Sequence, residues 1–357
     1  MAGSPATILI PDISGFTEFM TNTELSHGSF AISMLINTII DAVKSEYEIS
    51  EIEGDAVLMF KKGSAPSQQE IQNTCLKIFN AFHFQRKWMQ QHAVCPCKAC
   101  DEIAHLTLKF VAHHGTVGEI KAGGFTKLSG TDVIVAHRLL KNDVPSNEYL
   151  LLTEKLLQHS TGAPDAGMEW SVSAEEYPSI GKVGYQFALL NEQRKKTPEP
   201  PKPDLDYPKE STAYLEIPIA ANYRDAYMVL MNIPGRPEWL PGLQKVEQDI
   251  PAVFVGSIHT CTFTGYQAIV SPIMMRITES EITYAESCRM EERDLSLVYE
   301  FILSRIDETT CSFRARFMNA GEVQIETKER IDLLEDLEWM AKNLTLYCEK
   351  MEASFFQ

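Results

Sequence analysis

Two different rhythms of apolar residues, divided by a proline-rich stretch, predict an α+β protein of two domains. In the first half strands alternate with long amphipathic helices, which predicts an α/β sandwich. In the second, short strands follow one another and end in a single long helix, which predicts an antiparallel sheet packed on that helix. The divider is residues 193–210, QRKKTPEPPKPDLDYPKE. Its five prolines and alternating charges leave nothing to bury and favour an extended, semi-rigid linker. The expected domains are therefore 1–192 and 211–357.

The first domain opens with an apolar strand, Ala6 to Ile10, then an acidic turn and an amphipathic stretch from Ser29 to Tyr47. A strand over Ile52 to Phe60 follows. Between Ser67 and Gln91 the residues Ile71, Leu76, Ile78, Phe79, Phe82 and Trp88 recur at roughly helical spacing. Strands Leu106 to Ala112 and Val117 to Lys121 come next, with His113-His114-Gly115 read as the turn between them. The expected architecture is a sheet with helices on one face.

In the second domain a strand over Ala213 to Ile219 precedes a helical region, Tyr223 to Met231, and a loop, Pro234 to Gly242. Four or five strand-like runs then lie between Val253 and Phe317, including Tyr266 to Val270, Ile282 to Cys288, Leu297 to Leu303 and Cys311 to Phe317. From Glu329 to Phe355 the positions Ile331, Leu334, Leu337, Met340, Leu344, Tyr347, Met351 and Phe355 predict a helix with one apolar face turned to a sheet.

Acidic residues outnumber basic ones, 49 to 32, for a net charge of −17, so neither half offers the basic face that nucleic-acid phosphates require. No apolar run approaches the ~20 residues needed to span a bilayer, and no secretory leader is evident. The expectation is a cytoplasmic protein that binds neither membrane nor nucleic acid. Eight unevenly spaced cysteines fit a reducing compartment rather than a disulfide framework.

Two short stretches carry chemistry: Ile10-Pro-Asp-Ile-Ser-Gly-Phe-Thr17 and Glu53-Gly-Asp-Ala-Val57. Each places an aspartate, Asp12 or Asp55, at a strand edge beside a glycine turn. A carboxylate pair at adjacent strand ends suits hard cations such as Mg²⁺ or Mn²⁺ against a nucleoside triphosphate. Taken singly, each aspartate would serve as well to start a turn or cap a hairpin. A third stretch is Gly130-Thr-Asp-Val-Ile-Val-Ala-His-Arg-Leu139.

In this order the three stretches resemble the class III adenylate and guanylate cyclases across residues 6 to 190, which implies a ferredoxin-like sandwich of the nucleotide cyclase type. The resemblance places Asp12 and Asp55 on that family's two metal ligands and Arg138 on the arginine that stabilises the phosphates. Ile134 takes the place of the asparagine that orients the ribose, and isoleucine cannot hydrogen-bond to a sugar oxygen. Lys182 is the nearest candidate for the triphosphate lysine. At the base-reading positions stand Glu51 and Lys127, compatible with guanine because glutamate accepts from N1 and N2 while lysine donates to O6. The same two residues would equally form a salt bridge filling an empty pocket. The family's sites lie between two chains, so the resemblance implies a homodimer.

The segment His92-x-x-Cys95-Pro-Cys97-Lys-Ala-Cys100 is foreign to that pattern. Three thiolates with His92 or His105 would hold a tetrahedral structural Zn²⁺, and three reduced surface thiols are the plainer alternative. Cys75, Cys261, Cys288, Cys311 and Cys348 lie in apolar surroundings and are expected in the core. Residues 211 to 355 resemble the START and polyketide-cyclase-like (SRPBCC) helix-grip domains in architecture and in the loop Asn232 to Gly242. That resemblance implies an apolar ligand cavity, for which Met274, Met275, Met290, Phe301 and Met340 are candidate lining. The expected function is signalling: a divergent cyclase-like domain, active or not, coupled to a sensor of a small hydrophobic ligand. The alternatives are an inactive nucleotide- or partner-binding module and a carrier of such a ligand.

Overall fold

In the computed structural model, which describes residues 3–23, 25–93, 101–163, 167–201, 214–248, 253–321 and 324–355, the N-terminal apolar run is the middle of a longer strand. Chain contacts divide the protein into two compact units, Met1–Gln90 with Cys97–Pro200 and Gln91–Pro96 with Pro201–Gln357.

The first unit runs β1 (Ser4–Ser14), α1 (Phe16–Asn22), α2 (Leu25–Val43), β2 (Glu48–Glu53), β3 (Ala56–Lys62) and α3 (Gln68–His92). It continues with β4 (Thr107–Ala122), β5 (Phe125–Ser129), α4 (Thr131–Arg138), β6 (Tyr149–Thr153), α5 (Glu154–His159), β7 (Trp170–Tyr177), β8 (Gly181–Leu189) and the single turn α6 (Asn191–Arg194). The main sheet has the order β2-β3-β1-β4-β6-β8-β7, with β5 paired to β4 outside that path. It is mixed, since β4 and β6 run parallel and the other pairs antiparallel.

Strand β1 lies between β3 and β4, and residues of both parities are buried along it, Ile8 and Ile10 on one face and Leu9 and Ile13 on the other. The helices were expected on one face only; an unbroken apolar run instead marks a strand covered on both. Val133 and Ala136 of α4 pack on the Ile8 and Ile10 face. The β1–β3 register passes from Leu9↔Met59 to Asp12↔Ala56 without a pair at Pro11, which has no N–H to donate.

Three element boundaries differ from expectation. Asp12 lies inside β1 rather than in a turn after it. The single strand expected over Ile52 to Phe60 is the hairpin β2–β3, broken where Gly54 adopts φ +63°, a conformation that side chains disfavour. The turn expected at His113-His114-Gly115 is the middle of β4, which pairs with β1 from Thr107 to Val117 and with β5 beyond it. There the histidines are bonded inward. His113 Nε2 is 2.9 Å from Asp132 Oδ1, its Nδ1 is 2.9 Å from Thr153 Oγ1, and His114 Nδ1 is 3.0 Å from Thr7 Oγ1. A Cβ on Gly115 would meet the Asp132 carboxyl carbon at 2.1 Å, so the glycine serves this close approach and not a turn.

The second unit comprises β9 (Leu215–Ile219), α7 (Tyr223–Met231), a 3₁₀ turn (Ile233–Glu238), β10 (Leu243–Gln248), β11 (His259–Phe263), β12 (Tyr266–Ile277), β13 (Glu281–Met290), β14 (Leu295–Arg305), β15 (Cys311–Asn319) and α8 (Thr327–Phe355). All seven strands form one antiparallel sheet in the order β10-β11-β12-β13-β14-β15-β9. Helix α8 buries Leu333, Leu337, Ala341, Leu344 and Cys348 in the core of this unit. Ile331 and Leu334, assigned to the apolar face by spacing, are 51% and 46% exposed. The buried stripe runs through Leu333 and includes two small residues that a hydropathy pattern underweights. The five cysteines expected in the core are buried. Among the described residues, no helix is long and apolar enough to cross a membrane.

Candidate functional site

The pairing of β1 with β3 sets Asp12 opposite Ala56, beside Asp55 in the β2–β3 turn. Ile13 N donates to Asp55 O at 3.1 Å, and the two carboxyls are near enough to influence each other's protonation. Both are held above the ordinary aspartate range. For Asp12 burial is the main cause, with the neighbouring Asp55 adding to it and Lys109 opposing. For Asp55 burial again dominates. Two carboxylates this close and this buried do not ionise freely unless positive charge joins them. Lys109 supplies part of it, with Nζ 3.5 Å from Asp12 Oδ2 and donating to Leu140 O at 3.2 Å.

These residues border a cavity of about 590 Å³ that is also lined by Ser14, Glu53 and His137. The Ser14 hydroxyl is buried without a hydrogen-bond partner. An oxygen-rich wall with two reluctant carboxyls and an unpartnered hydroxyl is a donor set that fits a hard divalent cation.

Of the other residues singled out by sequence, Glu51 and Lys127 meet directly, Oε2 to Nζ at 2.5 Å. Lys127 also reaches Glu53 at 3.1 Å, and this contact holds the Glu53 carboxyl below its ordinary range. Arg138 and Ile134 sit one turn apart on α4, outside the lining of the Asp12 cavity. Arg138 lies over the Tyr177 ring, 5.8 Å from its centre, and Ile134 is 51% exposed. Lys182 is exposed on β8 opposite Glu176 and is not among the cavity residues. His92 ends α3 and is buried, whereas Cys95, Cys97 and Cys100 lie outside the described residues.

Sequence reasoning passed over Lys109, Glu53 and His137. Lys109 had a visible signal, a lysine inside the apolar run Leu106 to Ala112, directly across the ladder from Asp12. His137 had none, because only the packing of α4 brings it to the carboxylates of β2.

In the second unit a cavity of about 370 Å³ is lined by Trp239, Phe263, Tyr299, Phe301, Leu337 and Met340, among others. Met290 also lines it, while Met274 packs instead with Ala285, Val298 and Met318 and Met275 packs against the main core. At its wall Arg236 and Glu286 form a buried two-bond ion pair, both at 2.9 Å, which Tyr284 Oη joins by donating to Glu286 at 2.7 Å.

Residues 32–149 match a family described as "Protein of unknown function (DUF2652)". "Uncharacterized protein Rv2561/Rv2562" of Mycobacterium tuberculosis is 35% identical over 127 residues, 36% of this chain and 59% of that protein. The chain thus spans less than two thirds of that relative's length. Among solved structures, a bacterial light-regulated adenylyl cyclase is similar at 15% identity and TM-score 0.38, over 52% of this chain and 51% of that one. The guanylyl cyclase Cya2 is similar at 16% identity and TM-score 0.38, over 53% and 94%. The guanylate cyclase domain of RhGC from Catenaria anguillulae, in complex with GTP, is similar at 14% identity and TM-score 0.37, over 52% and 96%.

Proposed function

We propose that the first unit binds a nucleoside triphosphate together with a divalent cation, works as a homodimer, and forms a cyclic nucleotide slowly. The observation that carries this reading is the convergence of Asp12 and Asp55 on one cavity of a volume typical for small-molecule sites. Mg²⁺ or Mn²⁺ held by the two carboxylates would neutralise the phosphates and acidify the ribose 3′-hydroxyl. Lys109 sets the charge balance of the aspartates. Arg138, outside that cavity, would meet the phosphates in a site completed by a second copy. Ile134 offers the ribose no hydrogen bond, and a lost positioning contact slows chemistry by orders of magnitude. In the base pocket guanine would replace the Glu51–Lys127 contact with an equivalent pair, Glu51 accepting from N1 and N2 and Lys127 donating to O6. Adenine would leave both groups mismatched.

Calorimetric titration of the purified chain with each of the four nucleoside triphosphates in Mn²⁺, with products resolved by mass, tests this. GTP should bind more tightly than ATP, the preference should shrink in Glu51→Ala, and binding should fail in Asp12→Asn with Asp55→Asn. Equal or tighter ATP binding would show that Glu51 and Lys127 read no base. Binding indifferent to both aspartates would remove the cation site.

The 370 Å³ cavity favours a second reading for the other unit. An antiparallel sheet packed against a long C-terminal helix, with an aromatic cavity between, supports a helix-grip domain that holds a small hydrophobic ligand and acts as sensor or carrier.

A further inference from the structure

Beside the aspartate pair lies a second cluster of groups able to ligate a metal: Glu51, Glu53 and His137. Glu51 and Glu53 stand two residues apart on β2, so their side chains leave the same face of the strand. Helix α4 lays His137 across them. One ligand atom from each of Glu51, Glu53 and His137 can be chosen so that all three lie within 4.8 Å of one another. His137 Nε2 is 3.6 Å from Glu51 Oε1, and Nδ1 is 3.7 Å from Glu53 Oε2. The remaining oxygens, Glu51 Oε2 and Glu53 Oε1, face Lys127 Nζ at 2.5 and 3.1 Å. An ammonium therefore bridges the two carboxylates where a metal ion would.

Glu51 Oε1 is buried and has no hydrogen-bond partner. The gaps of 3.6 and 3.7 Å between the ring nitrogens and the carboxylates are too long for hydrogen bonds, so the ring satisfies neither glutamate. A cation between them would be coordinated by all three groups. Two carboxylate oxygens and one imidazole nitrogen suit a borderline divalent transition ion better than Mg²⁺, which takes oxygen almost alone.

We propose that Glu51, Glu53 and His137 form a second divalent-cation site, selective for Mn²⁺ or Zn²⁺ over Mg²⁺, in which the metal displaces the Lys127 ammonium. This site shares Glu51 and Lys127 with the proposed base pocket, so the metal and guanine would compete there, and its test uses no nucleotide. Glu53 and His137 also line the Asp12 cavity, so occupancy would set the charge at its wall.

Mn²⁺ is the probe of choice, because Zn²⁺ would also seek the thiols near Cys95. Mn²⁺ binding to the full chain is measured by electron paramagnetic resonance in the Asp12→Asn, Asp55→Asn background, which removes the other carboxylate pair. One Mn²⁺ should remain, excess Mg²⁺ should compete poorly, and His137→Ala should abolish it. Lys127→Met, which removes the competing ammonium, should tighten it by about tenfold or more, the scale of one charge-assisted hydrogen bond. Circular dichroism of each variant reports that it is folded. A folded Asp12→Asn, Asp55→Asn, Lys127→Met protein that binds no Mn²⁺, or Mn²⁺ binding unchanged by His137→Ala, would overturn the site.

Discussion

Arg236 and Glu286 show how much one residue can decide. Both are nearly inaccessible to solvent, and each satisfies the other through two parallel bonds while Arg236 Nε donates to Leu230 O at 3.0 Å. The carboxylate opposite raises the Arg236 pKa against the effect of burial. Glu286→Gln leaves a buried guanidinium without its counter-charge. The expected loss of stability is about 3–5 kcal/mol, the usual result of removing one partner of a buried pair. Replacing both, Arg236→Met with Glu286→Leu, should recover most of it. Denaturant unfolding of the four proteins in the double-mutant cycle measures the coupling, and a Glu286→Gln protein as stable as the parent would show that the charges are solvated after all. Neither partner was legible in the sequence. Arg236 lies in a 3₁₀ turn and Glu286 in a strand, 50 residues apart, and each alone reads as an exposed polar side chain.

Among elements, α3, α7 and α8 were readable because apolar spacing persists over several turns. The capping box at Ser67, where Glu70 N donates to Ser67 Oγ and Ser67 N donates to Glu70 Oε2, marks the start of α3 in the sequence itself. Strands were less legible. β4 was split because His113-His114-Gly115 resembles a turn, and β10 was missed because LQKVEQ holds too few apolar residues to signal a strand. The packing of α8 against the sheet yields a prediction at this scale. Met340 lines the 370 Å³ cavity and is half-buried, so Met340→Trp can fill that space from the helix side. An apolar fluorescent probe, anilinonaphthalene sulfonate, should brighten with the native protein and much less with Met340→Trp. Equal fluorescence from the two would place the probe elsewhere and remove the support for a ligand site.

For the whole molecule, the site residues of the first unit fall into two groups. Asp12 and Asp55 share a cavity, whereas Arg138 and Ile134 lie on α4 outside its lining. If a second copy joins the groups, chains broken in different halves should complement one another. Asp12→Asn and Arg138→Ala proteins, each inactive alone, should on mixing recover about a quarter of the parental rate of cyclic-nucleotide formation. Random pairing of a two-fold dimer makes half the dimers mixed, with one intact site in each. Mixtures no more active than their components would place the whole site within one chain.

The sequence by itself determined the division at the proline-rich stretch as an expectation, the long helices, and the aspartates as a candidate cation pair, since each rests on local spacing and residue chemistry. Tertiary structure alone decided that β1 is covered on both faces, that Lys109 stands beside Asp12, and that Lys127 bridges Glu51 and Glu53. It also placed His137 against those two glutamates. The reason is physical: helix periodicity and turn chemistry act over a few residues, whereas a charge's partner is chosen by which strands pair and which helix packs across them.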